Sequence, residues 1–226
     1  MHPILVEALR ERAASGKPVK VALVGAGRFG TTVAAQLSQM PALELSVVCD
    51  RRAESARGAW EAFGGTDLAD AALVLGDRAD EIASAVGDGR ACIASDIAAT
   101  VNAPVDVVVE ATGLPEIASC TAFAAIQAKR HVVMVTVEAD VLIGSVLRRY
   151  ADAAGVVYTL ADGDQPAVTK RLCDWAEALG YEIVAAGRGT RFYPDDAVGV
   201  PEEAFARYGF DAELVGRRRF NPQMYN

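Results

Sequence analysis

The sequence predicts an α/β protein, a doubly wound parallel sheet followed by the start of a second domain. Three observations predict it. Apolar, β-branched runs alternate with helical patterns through the first 160 residues, the rhythm of stacked βαβ units. A glycine turn, Gly25-Ala26-Gly27-Arg28-Phe29-Gly30, follows directly on the first of those runs. A second run ends in Asp50, about twenty residues past the turn, where a dinucleotide-binding βαβ unit places a carboxylate for the adenosine ribose.

The elements are read in chain order. His2 to Ala14 carries Glu7, Arg10, Glu11 and Arg12 at helical spacing, so it reads as an amphipathic helix and lacks the uninterrupted apolar core of a signal peptide. Val19–Val24 is the first strand, and the glycine turn delivers the chain into a helix over Phe29–Ser38. Leu43–Cys49 is a strand and Ala53–Phe63 a helix, while Gly64 to Gly76 is the stretch with the least regular pattern. Helices at Asp77–Val86, Pro115–Lys129 and Ala139–Ala154 then alternate with strands at Ala91–Ala94, Val105–Glu110, His131–Val135 and Val156–Leu160. Beyond Leu160 the rhythm changes. Asp162-Gly163-Asp164-Gln165-Pro166 is a polar turn capping a helix at Ala167–Leu179, a strand is expected at Tyr181–Ala186, and the remainder is rich in arginine, aromatics and proline. The expected division is a Rossmann dinucleotide-binding domain over residues 1–160 and part of a catalytic or substrate-facing domain over 161–226.

Composition excludes several classes. At 226 residues with 52% hydrophobic content the chain can fill a real core, and a formal charge of −8 argues against a nucleic-acid surface. Charged residues or glycine interrupt every apolar run before it reaches membrane-spanning length, so a soluble, cytoplasmic protein is expected. Cys49, Cys92, Cys120 and Cys173 are widely spaced and form no metal-ligand cluster; they read as buried free thiols, and no metal is expected. The two histidines, His2 and His131, give little material for histidine chemistry, and His131 reads as a strand-entry residue.

In a doubly wound sheet the ligand lies beyond the carboxyl ends of the strands. Gly25, Gly27, Arg28, Phe29 and Gly30 would cradle the pyrophosphate at a helix N-terminus. Asp50, Arg51 and Arg52 would face the adenosine ribose. NADP(H) is the expected cofactor and NAD(H) the alternative, because two adjacent guanidiniums can accept the extra phosphate while an exposed carboxylate turns aside. Ala111, Thr112 and Gly113 form a small turn across which a ligand can lie, and Thr136 ends the next strand. Glu110, Glu138 and Asp140 are acidic groups at such ends; each also suits a helix cap or first turn, and Glu138 leans toward function.

The run Gly25–Gly30, then Asp106–Gly113 (DVVVEATG), then His131–Leu142 (HVVMVTVEADVL) resembles the nucleotide-binding domain of homoserine dehydrogenase, with Glu138 where that family's strand-end motif has a lysine. Val132–Asp140, Ala154–Thr169 (AGVVYTLADGDQPAVT), Ala185–Pro194 (AAGRGTRFYP) and the terminal NPQMYN are similar to the deoxyxylulose-phosphate reductoisomerase-like (DRL) family. The resemblance implies an NADP(H)-dependent oxidoreductase acting on a small anionic substrate, at its most specific a reductoisomerase of a sugar phosphate. It also implies a C-terminal SAF-type domain, so that a chain ending at Asn226 is expected to be a fragment or a shortened relative. The catalytic set is Glu138 and Asp164 for proton transfer and Arg188 and Arg191 for the substrate anion. The two arginines stand where lysines are expected in the family, which keeps the charge but removes a proton-transferring amine. Homoserine dehydrogenase itself and a non-catalytic NADP(H)-binding module are the alternatives. The expected partners are the small substrate and further copies of the chain.

Overall fold

The computed structural model describes residues 3–64, 73–76, 78–163 and 167–187. The chain divides into two compact units, Met1–Ala167 and Val168–Asn226.

In the first unit, α1 (Pro3–Ala14) leads into β1 (Val19–Val24), α2 (Arg28–Leu37), β2 (Leu43–Cys49) and α3 (Ala53–Gly64). There follow β3 (Leu73–Leu75), α4 (Ala79–Gly87), β4 (Ala91–Ala94), α5 (Ile97–Asn102) and β5 (Val107–Glu110). The unit continues through α6 (Pro115–Gln127), β6 (His131–Met134), α7 (Val137–Ala154) and β7 (Tyr158–Leu160). Among the described residues seven strands form one sheet, in the order β3-β4-β2-β1-β5-β6-β7. Every pairing is parallel. From β1 the chain builds outward to β2 on one side and later to β5 on the other, so the order reverses between β1 and β5.

Both faces of the sheet are covered. Ala22, Val24, Val47, Val108, Val132 and Met134 pack under α4, α5, α6 and α7, whereas Val21, Leu23, Val48 and Val109 pack under α2 and α3. This double burial is why β1 and β2 read as nearly continuous apolar runs rather than alternating ones. Their central residues, Leu23, Val47 and Val48, are wholly buried.

Four expectations change. Leu73–Leu75 adds an edge strand within the stretch read as irregular, a three-residue element too short to leave a periodic signal. The short helix α5, capped by Asp96 accepting from the Ala99 amide at 2.6 Å, went unread for the same reason. In the second unit, α8 (Ala167–Ala178) forms as expected, but Tyr181–Gly187 carries no strand. A β-rich composition alone does not supply a paired neighbour. Of the four cysteines, Cys49 and Cys92 are buried, while Cys120 is exposed and Cys173 partly so. Cys120 falls on the outer side of α6, whose inner side is Ala118, Thr121, Ala122 and Ala125.

His131 sits at the start of β6, where its Nδ1 accepts from the Val157 amide at 2.9 Å. It thereby ties β6 to the approach to β7, at the sheet edge opposite the strand carboxyl ends. No described helix is long and apolar enough to cross a membrane.

Candidate functional site

The site is built from the turns that leave β1, β2, β5 and β6 at the carboxyl edge of the sheet. Gly25 leaves β1 with φ +96°. A Cβ there would stand 2.6 Å from the backbone C and O of Ala111 and 2.7 Å from the Thr112 amide nitrogen. The β1 and β5 turns therefore touch at the position where strand order reverses. Gly30 faces inward as well, and a Cβ on it would collide with the Gly25 carbonyl oxygen. Two of the three glycines thus serve close packing within the protein.

Gly27 differs. A Cβ built on it meets nothing within 4 Å. It is the residue before α2, in ordinary extended geometry, and no side chain caps the helix. The first-turn N–H groups of α2 have no acceptor within the helix itself, and the helix dipole favours an anion at that end. Open space at Gly27 beside uncapped amides fits a pyrophosphate. Arg28 and Phe29 are exposed at the same terminus.

Asp50 stands at the end of β2 and is not free to swing. Its Oδ2 accepts from the Ala26 amide at 2.8 Å, and its Oδ1 accepts from the Arg52 amide at 2.8 Å. One carboxylate thus holds the glycine turn and starts α3. Each oxygen keeps acceptor capacity for a ribose hydroxyl, because an ionised carboxylate offers about four lone-pair sites. Arg51 and Arg52 follow it, both exposed.

On the other side, Ala111, Thr112 and Gly113 turn out of β5, and the Gly113 amide donates to Thr136 Oγ1 at 3.0 Å. Thr136 is buried at the N-cap position of α7, whose first turn carries Glu138 and Asp140. Glu138 is partly exposed there. Asp140 turns inward, and the Tyr158 hydroxyl donates to its Oδ1 at 2.9 Å. Burial, with the Asp140 carboxylate beside it, holds the Tyr158 phenol well above the usual tyrosine range.

The structure therefore brings together Gly25, Gly27, Arg28, Phe29, Gly30, Ala111, Thr112, Gly113, Thr136 and Glu138, with Asp50, Arg51 and Arg52 beside the glycine turn. Asp164, Arg188 and Arg191 lie outside the described residues. Sequence reading passed over Tyr158 and left Glu110 open between a site acid and a helix-cap or first-turn group. Glu110 is instead wholly buried in the sheet. The signal was available: it is two residues past Val108, so it points to the same covered face.

A family model for the NAD-binding domain of homoserine dehydrogenase matches residues 25–160, and one for the catalytic domain of oxidoreductase DRL matches residues 163–226. No curated protein matches the chain. Among solved structures, the chain is similar to the WlbA dehydrogenase of Bordetella pertussis in complex with NADH and UDP-GlcNAcA, at 22% identity and a TM-score of 0.51, over 72% of this chain and 42% of that one. It is similar also to the WlbA dehydrogenase of Chromobacterium violaceum, at 18% identity and a TM-score of 0.51, over 72% of this chain and 40% of that one. The chain thus spans well under half the length of these structures, and at such identities the likeness is one of fold. Glycine turn, reversal point and family match agree: the chain belongs to the homoserine dehydrogenase NAD-binding domain family, and its residues 163–226 match the model of the DRL oxidoreductase catalytic domain.

Proposed function

We propose that this chain binds NAD(P)(H) across the β1–α2 turn and serves an oxidoreductase that acts on a carbonyl or alcohol carbon of a small anionic substrate. The observation that carries the reading is the open cradle at Gly27, beside the uncapped start of α2 and the tethered Asp50. The bound dinucleotide supplies the hydride chemistry. The chain's own residues would do the rest: the α2 amides hold the pyrophosphate, the Ala111–Gly113 turn supports the nicotinamide half, and Glu138 holds or exchanges a proton at the start of α7. Asp164, Arg188 and Arg191 complete the proposed set. The division of labour places the dinucleotide on residues 1–160 and the substrate on residues from 161 onward.

Cofactor choice turns on Asp50. The expectation of NADP(H) rested on a carboxylate that turns aside, and two backbone amides argue against that movement. A fixed carboxylate favours the free ribose hydroxyl of NAD(H), and the exposed Arg51 and Arg52 are the feature that favours NADP(H). We therefore rank NAD(H) first. Titration of the protein with NADH and NADPH at one salt concentration tests both readings. Binding of neither would end the proposal. Asp50→Asn should lower NADH affinity by about tenfold, from one lost charge-assisted hydrogen bond, while NADPH affinity holds or rises. A parallel loss for both cofactors would reduce Asp50 to an organiser of the turn.

The substrate reading rests on sequence. Arg188 and Arg191 flank a Gly-Thr pair, in a spacing suited to holding one anion from two sides. Arg191→Met is expected to cost about 2–5 kcal/mol in kcat/KM with cofactor affinity nearly unchanged, because a desolvated anion would be left unpaired. Unchanged kinetics would return both arginines to the solvated surface. Screening nicotinamide absorbance against sugar phosphates, sugar acids and amino-acid semialdehydes identifies the substrate class, and a sugar phosphate would support the reductoisomerase reading. The proposal extends to a cytoplasmic homo-oligomer, which light scattering and cell fractionation test.

A further inference from the structure

Glu110 ends β5 in the middle of the sheet, beside Val24 of β1 and Met134 of β6. It is 0% exposed. Its Oε1 accepts from the Thr112 amide at 2.8 Å and from the Thr112 hydroxyl. No donor reaches its buried Oε2 in hydrogen-bond geometry. No ion pair among the described residues involves it. An ionised carboxylate so placed would lose its hydration without gaining a counter-charge.

The surrounding groups agree. Thr112 approaches from its own turn and Thr136 from the start of α7; Tyr158 stands on β7 and donates its hydroxyl to Asp140. Burial pushes the Glu110 carboxyl above the usual range, and the Thr112 and Thr136 groups offset that only in part. A proton on Oε2 removes the charge and leaves Oε1 to accept both Thr112 donors.

The turn fixed in this way meets two other segments. Gly25 packs against Ala111 and Thr112, but the glycine turn is anchored separately, by the Gly25 amide on the Cys49 carbonyl and the Ala26 amide on Asp50. The Gly113 amide reaches Thr136 at the cap of α7, ahead of Glu138. We propose that Glu110 is a positioning residue for the nicotinamide half of the dinucleotide site, a buried neutral acid that sets the Ala111–Gly113 turn and, through Gly113 and Thr136, the start of α7. The inference rests on the dinucleotide reading above and adds to it which end of the cofactor this residue governs.

The test compares NADH with ADP-ribose, which keeps the adenosine and pyrophosphate and lacks the nicotinamide. Glu110→Met keeps the volume and removes the acceptor; it should weaken NADH about tenfold or more and leave ADP-ribose within about twofold. Glu110→Gln keeps the acceptor without a charge and should bind both ligands within about twofold of the parent. Equal losses of NADH and ADP-ribose in Glu110→Met, no loss of either, or a Gln variant as weak for NADH as the Met variant would each overturn the proposal. Should Glu110→Met fail to fold, Glu110→Gln and the pH profile decide.

That profile has a definite sign. A carboxyl whose folded pKa is raised contributes its stability below the unfolded value, near 4.5, and loses it as pH rises through the raised value. The melting temperature of the parent should therefore fall relative to Glu110→Gln over that window. A constant difference would mean that Glu110 is ionised throughout, and the neutral-acid assignment would be wrong. A parent protein that binds neither NADH nor ADP-ribose would instead refute the dinucleotide reading itself.

Discussion

Replacing Gly25 with alanine is expected to lower the free energy of unfolding by about 2–5 kcal/mol, and urea unfolding monitored by circular dichroism measures it. Two costs add. The first is conformational: φ at Gly25 is +96°, and an L-residue held at positive φ costs about 1–2 kcal/mol. The second is steric, since the new Cβ would stand 2.6 Å from the Ala111 carbonyl group. Overlap of that kind costs about 1–3 kcal/mol, because backbone rather than a side-chain tip must give way. Relief by a shift of Gly25 is opposed by its amide, which donates to the Cys49 carbonyl at 2.8 Å. Gly30→Ala makes the complementary case. Helix propensity alone would favour the alanine by about 1 kcal/mol, yet its Cβ would run into the Gly25 carbonyl oxygen, so the variant should lose stability. A Gly25→Ala protein as stable as the parent would mean that the β1 and β5 turns do not pack together.

Gly27→Val should do the opposite, leaving the fold intact and removing the cofactor. The backbone there has φ −73° and ψ −169°, extended geometry open to any residue. A Cβ there meets no protein atom within 4 Å beyond its chain neighbours. The stability cost is expected to stay below about 1 kcal/mol, the difference between glycine and a β-branched residue at an N-cap. Cofactor affinity should fall at least about a hundredfold, or about 2.7 kcal/mol, since the isopropyl group would occupy the space where the pyrophosphate approaches the backbone. Calorimetric titration paired with a melting curve separates the two effects. Unchanged affinity in a folded Gly27→Val protein would remove the dinucleotide from this turn. Together the variants divide one motif into two glycines that serve the protein and one that serves its ligand.

Residue type and spacing made much of this legible. The central strands could be read because burial on both sheet faces demands long apolar runs. The glycine turn could be read because the chemistry of a tight βα turn is local, and Asp50 because its distance along the chain fixes its place at the next strand end. The same reasoning reached Ala111–Gly113, Thr136 and Glu138 as neighbours at the carboxyl edge. It went wrong where local composition lacked a tertiary partner or an element had too few residues to repeat its period: Tyr181–Ala186 has strand-like residues and no strand, while Leu73–Leu75 pairs with β4 at the sheet edge.

What the sequence by itself determined is thus the parallel α/β layering and the place of the glycine turn between the first strand and its helix, both set by patterns within about thirty consecutive residues. Only the tertiary structure decided how the charged groups behave. Asp50 looked free until the amides of Ala26 and Arg52 were seen to hold it. Glu110 read equally as a site acid or a helix cap until the sheet closed over it, and Tyr158 and Asp140, eighteen residues apart, became a pair only when β7 lay beneath α7. The physical reason is the same in each case: a carboxyl group's ionisation and reach depend on burial and on donors brought from distant parts of the chain, and neither is written in its immediate neighbours.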